Sequence, residues 1–217
     1  MLVEKIQTQL ECIYGIGLKE RAYDFLINLG DVHNYVNMNS ETKLPKELLL
    51  VRKPEDDTVE VALYLADDLI NNLDQHDPFE SITPKNLNDF CTMIEGVSHF
   101  VYYLWKAQQN LPITQLELEL QAEVDKFLML YFYLRSDQNP QVGDTIFDSL
   151  FEDFKLFDEL SIEARERYLT ASQLASRYCY RLKTRFQQQP HDIENVVSEI
   201  RQFYTFAQEE KIRRIIV

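Results

Sequence analysis

Residues 84–135 constrain the fold most, because apolar side chains recur through them at helical spacing on either side of one short polar break. Thr83-Pro84 predicts a helix start, with Thr as the N-cap and Pro where a backbone N–H would lack a partner anyway. From there Phe90, Met93, Val97, Val101 and Leu104 recur at three- and four-residue steps, one stripe of an amphipathic helix. At about 100° per residue, Cys91, Glu95, His99, Tyr102 and Lys106 fall together on the opposite face. Ile94, Phe100 and Trp105 widen the apolar part, so few positions stay wet and the helix is expected to be central.

The second helix is expected to open at Thr114, where Thr-Gln-Leu-Glu117 matches a capping box. Its stripe is Ile113, Leu116, Leu120, Val124, Phe127, Tyr131 and Leu134, with Glu119, Glu123 and Lys126 along one shoulder. The alternation in Leu116–Leu120 also fits a strand, but it stops while the helical stripe continues. The short link from Gln109 to Ile113 makes the two helices antiparallel neighbours.

If that shoulder faces the polar face of the first helix, Glu95, His99, Glu119 and Glu123 converge. Three carboxylates and an imidazole are oxygen and nitrogen ligands suited to a divalent metal such as zinc, iron or manganese. Tyr102 and Lys126 would then hydrogen-bond the ligands from behind. Bundle di-metal sites repeat Glu and His three residues apart on two helices. Here the spacing is four and occurs once, so the competing reading is a salt-bridge array of Glu119, Glu123 and Lys126, with Glu95 and His99 at an ordinary interface.

Length allows one sizeable core, and the expectation is a single mostly helical domain over residues 1–217. The fold class is mainly α, a helical bundle-like domain with one β-hairpin at about 47–65. Five Gly and seven Pro favour long regular elements over many turns. The net charge of −14 is uneven: residues 1–160 carry 12 basic and 29 acidic side chains, a balance of −17. Residues 161–217 carry 10 basic and 7 acidic ones, a balance of +3. The acidic part disfavours nonspecific binding to nucleic acid or anionic membrane. Cys12, Cys91 and Cys179 are far apart and odd in number, which suits a reducing compartment rather than a disulfide framework. With no signal-like N-terminus and no apolar run long enough for a bilayer, the expected setting is cytoplasmic, without a membrane.

In chain order, residues 1–30 predict two helices, 3–14 and 18–28, broken at Gly15 and Gly17 and stopped by Gly30. A polar loop follows, holding His33. Glu47–Lys53 and Thr58–Leu65 predict the hairpin around the turn Pro54–Asp57, with open outer edges that another strand could extend. A short helix from Asp67 and the turn Asp74-Gln75-His76-Asp77 lead to the central pair; a linker at 136–144 follows it. Residues 145–217 predict three helices: an acidic one over 145–160, one from Ser161 to about Phe186, and a last one from near Asp192. Arg177, Arg181 and Arg185 share a ridge, and the chain closes on Lys211, Arg213, Arg214 and three apolar residues.

No phosphate loop, nucleophile elbow, zinc helix or paired-cysteine motif is present. Three functions stay open. One is a non-enzymatic protein–protein interaction or regulatory protein, acting on a protein partner or as a homodimer, its polar helix faces serving as a structural network. Another is a metal-dependent enzyme using Glu95, His99, Glu119 and Glu123. The last is nucleic-acid binding through Arg177, Arg181, Arg185, Lys211, Arg213 and Arg214, with Tyr178 or Tyr180 stacking on bases.

Overall fold

The computed structural model describes residues 1–35, 44–53, 59–134, 142–152 and 161–217. It is mainly helical with a small sheet. The helices are α1 (Leu2–Tyr14), α2 (Leu29–Val32), α3 (Asp67–Gln75), α4 (Leu87–Gln108), α5 (Gln115–Leu134), α6 (Val142–Phe151), α7 (Ile162–Gln188), α8 (Ile193–Thr205) and α9 (Gln208–Ile216). The strands are β1 (Leu26–Ile27), β2 (Glu47–Arg52) and β3 (Glu60–Leu65). The expected hairpin turn at 54–57, most of the linker at 136–144 and the acidic stretch 153–160 lie outside the described residues. Among the described residues no helix is long and apolar enough to cross a membrane.

The chain divides into two compact units, one of Met1–Thr8 with Leu18–Val101, the other of Gln9–Gly17 with Tyr102–Val217. In the first, β2 and β3 pair antiparallel from Glu47↔Leu65 to Arg52↔Glu60, as the alternation predicts. β1 adds a parallel strand on the far side of β3, with Leu26 opposite Leu63. This replaces the helix expected over 18–28, where Ala22–Phe25 form only a 3-10 turn. The cause is Gln7 of α1, which accepts from the Ala22 N–H at 2.7 Å and donates to the Glu20 carbonyl at 2.9 Å. A side chain thus meets backbone needs that a helix would otherwise satisfy. Gly30, expected as a stop, instead lies inside α2, which Asn28 caps by accepting from the Asp31 N–H.

One face of the sheet packs Leu50, Ala62 and Tyr64 on Val32. Side chains alternate across a strand, so Leu63 and Leu65 point to the other face. There Gly96 of α4 permits close approach: a Cβ on it would lie 3.1 Å from Leu65 Cδ2 and 3.2 Å from Glu47 Oε2. α4 starts at Leu87, later than Thr83-Pro84 suggests, because buried Asn86 holds the preceding turn. Its amide donates to the His76 and Ser81 carbonyls and accepts from the Thr83 N–H. Lys46 joins α3 and α4 to the start of β2 through Asp68 at 2.9 Å and Asp89 at 3.0 Å.

In the second unit, every residue of α5 from Glu119 to Tyr131 is buried, so this helix has no wet face. Its N-terminus is capped as expected by Thr114, whose Oγ1 accepts from the Glu117 N–H at 3.1 Å. The return half of the capping box is absent, since the Glu117 carboxylate is used elsewhere. Ser161 caps α7 by accepting from the Ala164 N–H. The aromatic richness of the sequence becomes core stacking: Tyr14 on Tyr204 at 3.9 Å, Tyr178 on Phe203 at 4.0 Å and Tyr131 on Phe186 at 4.4 Å. The last helix expected from Asp192 is two, because Phe206 and Ala207 are extended and separate α8 from α9. The Phe206 carbonyl freed by this break accepts from Lys106.

Candidate functional site

Glu117, Gln121 and Asp125 recur at four-residue steps on α5 and therefore form one row along it. Tyr102 and Lys106 stand four apart in the same unit, near the end of α4. From these two rows, together with Tyr14 of α1 and Lys211 of α9, the fold builds one buried polar network. Lys106, Glu117, Gln121, Asp125 and Lys211 are each at most 1% exposed.

The network has two linked halves. Lys106 Nζ sits 2.7 Å from Glu117 Oε1, and the Tyr102 hydroxyl donates to the same oxygen at 2.5 Å. In the other half Lys211 donates to Gln121 Oε1, while Gln121 Nε2 donates to Asp125 Oδ1 at 2.7 Å. The Tyr14 hydroxyl also donates to Asp125. Gln121 thus joins a cation to an anion, its oxygen facing the ammonium and its nitrogen the carboxylate. The Tyr102 ring lies between the two ammonium groups, 4.4 Å from Lys211 Nζ and 5.4 Å from Lys106 Nζ.

Two ammonium groups and two carboxylates make the set neutral when both lysines are charged. Burial nevertheless dominates at Lys211 and pushes its pKa down to about 7, against the opposing pull of Glu117. Burial, with the neighbouring Asp125 carboxylate, raises the Tyr14 hydroxyl well above its usual range, and burial with Glu117 does the same to Tyr102. Cys179 of α7 is raised likewise by burial. A lysine with a depressed pKa beside carboxylates has the composition of a proton-transfer or imine-forming centre. Here, however, Lys211 Nζ is enclosed by the rings of Tyr102, Phe203 and Tyr204 and by the Gln121 amide.

The four residues expected as metal ligands divide between the units. Glu95 and His99 lie one turn apart on α4 in the first, where His99 Nδ1 is 3.5 Å from Glu47 Oε2. Glu119 and Glu123 lie on α5 in the second. Glu123 pairs with Lys126 at 2.8 Å, and Glu119 is 3.7 Å from Arg167 Nε of α7. All three α5 side chains are buried, so this row is not a solvated face. Tyr102, expected behind those ligands, directs its hydroxyl to Glu117. In the first unit the Asp-His-Asp turn is held locally: Asp77 caps the Phe79 N–H, and His76 Nδ1 lies 3.2 Å from the Asn72 carbonyl.

The arginine ridge is resolved residue by residue. Arg185 is held by Glu199 and by Asp192, the latter at 3.0 Å. Arg213 and Arg214 share Glu210 at 2.5 Å and 2.8 Å. Arg181 donates to the Arg214 carbonyl at 2.7 Å, bringing α7 and α9 together. Arg177 is exposed and has no ion pair among the described residues. Tyr178, proposed to stack on bases, is 1% exposed in the core; Tyr180, at 55%, is the accessible one.

Sequence reasoning missed the Lys106–Glu117–Gln121–Asp125–Lys211 network. The signal available was that α5 carries two polar rows, Glu117/Gln121/Asp125 and Glu119/Glu123, leaving no face polar enough to be the only wet one. No protein-family model, curated protein or solved structure matches this chain.

Proposed function

We propose that this protein is a non-enzymatic binding protein, whose task is contact with another protein in an interaction or regulatory role. The observation that supports this is the burial of its reactive groups. The dense set of acid, base and hydroxyl groups around Gln121 in the second unit is at most 1% exposed at its five central residues. It is also consumed by its own hydrogen bonds. A catalytic group must reach a reacting atom within about 3 Å. A network whose members are hydrogen-bonded within the fold instead fixes helices in one arrangement. The accessible side chains of that unit, by contrast, include arginines, Tyr180 and the apolar Ile216 and Val217.

The test is purification of the tagged full chain from its own cells at native abundance, followed by light scattering. The chain alone weighs 25.7 kDa. A complex of fixed composition and larger mass supports the reading. A monomer at every concentration, with no companion protein, removes it.

A further inference from the structure

The C-terminal half of α7 contains no acid. From Ser172 to Gln188 the charged residues are Arg177, Arg181, Lys183 and Arg185, on a chain whose net charge is −14. The structure removes two of these four from consideration. Lys183 is buried against Asp144 at 2.8 Å, and Arg185 is held by Asp192 and Glu199. What remains on the outer face is Arg177, Tyr180 and Arg181, at the three- and four-residue steps that make one helical surface. The Arg181 contact to the Arg214 carbonyl sets α9 beside this surface, and the Arg214 side chain is 55% exposed.

We propose that the Arg177–Tyr180–Arg181 face of α7, flanked by Arg214, docks an acidic segment of a partner protein that also carries an apolar side chain. The proposal rests on the binding-protein reading above and names the partner's chemistry. Three features of the surface argue for it. Arginine forks pair with carboxylates through two parallel hydrogen bonds. Tyrosine and arginine are the side chains most enriched where binding energy concentrates, and here Tyr180 stands between two arginines with over half its surface open. Charge complementarity fixes the sign: α7 itself carries no acid along this strip, the flanking Glu210 is taken up by Arg213 and Arg214, and at physiological ionic strength charges beyond about 8 Å are largely screened. The protein's remote acids therefore weaken the attraction little.

The same screening does not favour nucleic acid. A nucleic-acid ligand presents a continuous line of phosphates, and its affinity grows with the number of them that cations neutralise. This face offers Arg177 and Arg181, which pair with no acid among the described residues, while Arg213 and Arg214 are already tied to Glu210. Two or three carboxylates and one apolar residue match what is present.

The probe is a fluorescent synthetic fifteen-residue peptide of Glu and Asp with central Leu and Phe, titrated with the full chain by anisotropy at low and physiological salt. The comparison is Arg177→Glu/Arg181→Glu against Arg165→Glu, an exposed arginine on the same helix outside the strip. Unchanged circular dichroism and melting temperature serve to establish folding. The expected result is salt-sensitive binding that the double variant weakens tenfold or more and Arg165→Glu changes less than twofold. No binding by the folded wild type, or equal losses in both variants, overturns the proposal. So does tighter binding of a single-stranded oligonucleotide of equal charge, or self-association that accounts for the signal. If the native complex forms but survives in Arg177→Glu/Arg181→Glu, this surface is wrong and the binding-protein reading stands; if no native complex forms, that reading falls as well.

Discussion

Replacing Lys211 by Met separates the cost of burying a charge from the value of the bonds it makes. Met has nearly the same reach and no charge, so packing against Tyr102 and Phe203 is retained. In the unfolded chain a lysine titrates near 10.4, whereas in the fold Lys211 is pushed down to about 7. Between those values the unfolded state holds a proton that the native state has released, so stability rises with pH across this window and is flat below it. From pH 6.5 to 8.5 the rise attributable to Lys211 is about 2 kcal/mol, from roughly 1.4 kcal/mol per pH unit above the folded pKa. The raised Cys179 thiol and tyrosine hydroxyls act in the opposite direction as pH rises through their ordinary values of 9.0 and 10.0, which is why the range stops at 8.5. The Met variant loses the slope. At pH 8.5 the unmet Gln121 Oε1 costs the variant about 1–3 kcal/mol, which roughly offsets the about 2–3 kcal/mol of deprotonating Lys211 that it escapes, so the two proteins are close in stability there. Urea unfolding of both proteins at pH 6.5, 7.5 and 8.5, with equal m-values, measures this. Parallel pH profiles, or a wild type that weakens toward 8.5, would refute the burial argument.

Glu117→Gln leaves the Lys106 ammonium in the interior without its anion and is expected to cost about 3–5 kcal/mol in urea unfolding. Glu60→Gln, whose partner Arg52 is exposed as it is itself, should cost under about 1 kcal/mol; equal losses would contradict the geometry. Gly15 has φ +66° and faces the Arg201 guanidinium, so Gly15→Ala should lower the melting free energy by about 1–2 kcal/mol, and no loss would show the turn to be relaxed. Metal content of protein prepared without chelator tests Glu95, His99, Glu119 and Glu123 as ligands, and well under one metal per chain would remove that reading. About one metal per chain, lost in Glu95→Ala/His99→Ala, would support the metal reading of these residues.

The helices and the hairpin were legible because each rests on a local period. The stripes of α4, α5 and α7 and the Val61/Leu63/Leu65 alternation need no distant partner to be recognised. What failed was decided by distant side chains. Leu18, Ala22, Phe25 and Leu26 spell a helical stripe, yet the Gln7 amide takes the backbone there. Phe206 and Ala207 continue the stripe of α8, yet the chain breaks where its carbonyl meets Lys106. The arginine ridge was read correctly as a row, but which arginines stay accessible depended on Glu199, Asp192 and Glu210. The buried network was hidden for a related reason: its members are separated by up to about two hundred residues, and polar rows on a helix ordinarily mean water.

One consequence concerns the order in which the chain is made. Arg201 donates to the carbonyls of Cys12 and Ile13 across 189 and 188 residues, and Lys211 joins the cluster that receives Tyr14. At synthesis rates of about 5–20 residues per second, Cys12 to Tyr14 wait roughly 10–40 s before these partners exist. Through the later part of that interval, after Val101 is made, the sequence of the first unit is complete while the second unit still lacks its closing helices. A ribosome-bound chain stalled before residue 201 should therefore leave the backbone around Tyr14, which is buried in the finished fold, open to proteases until the last two helices arrive.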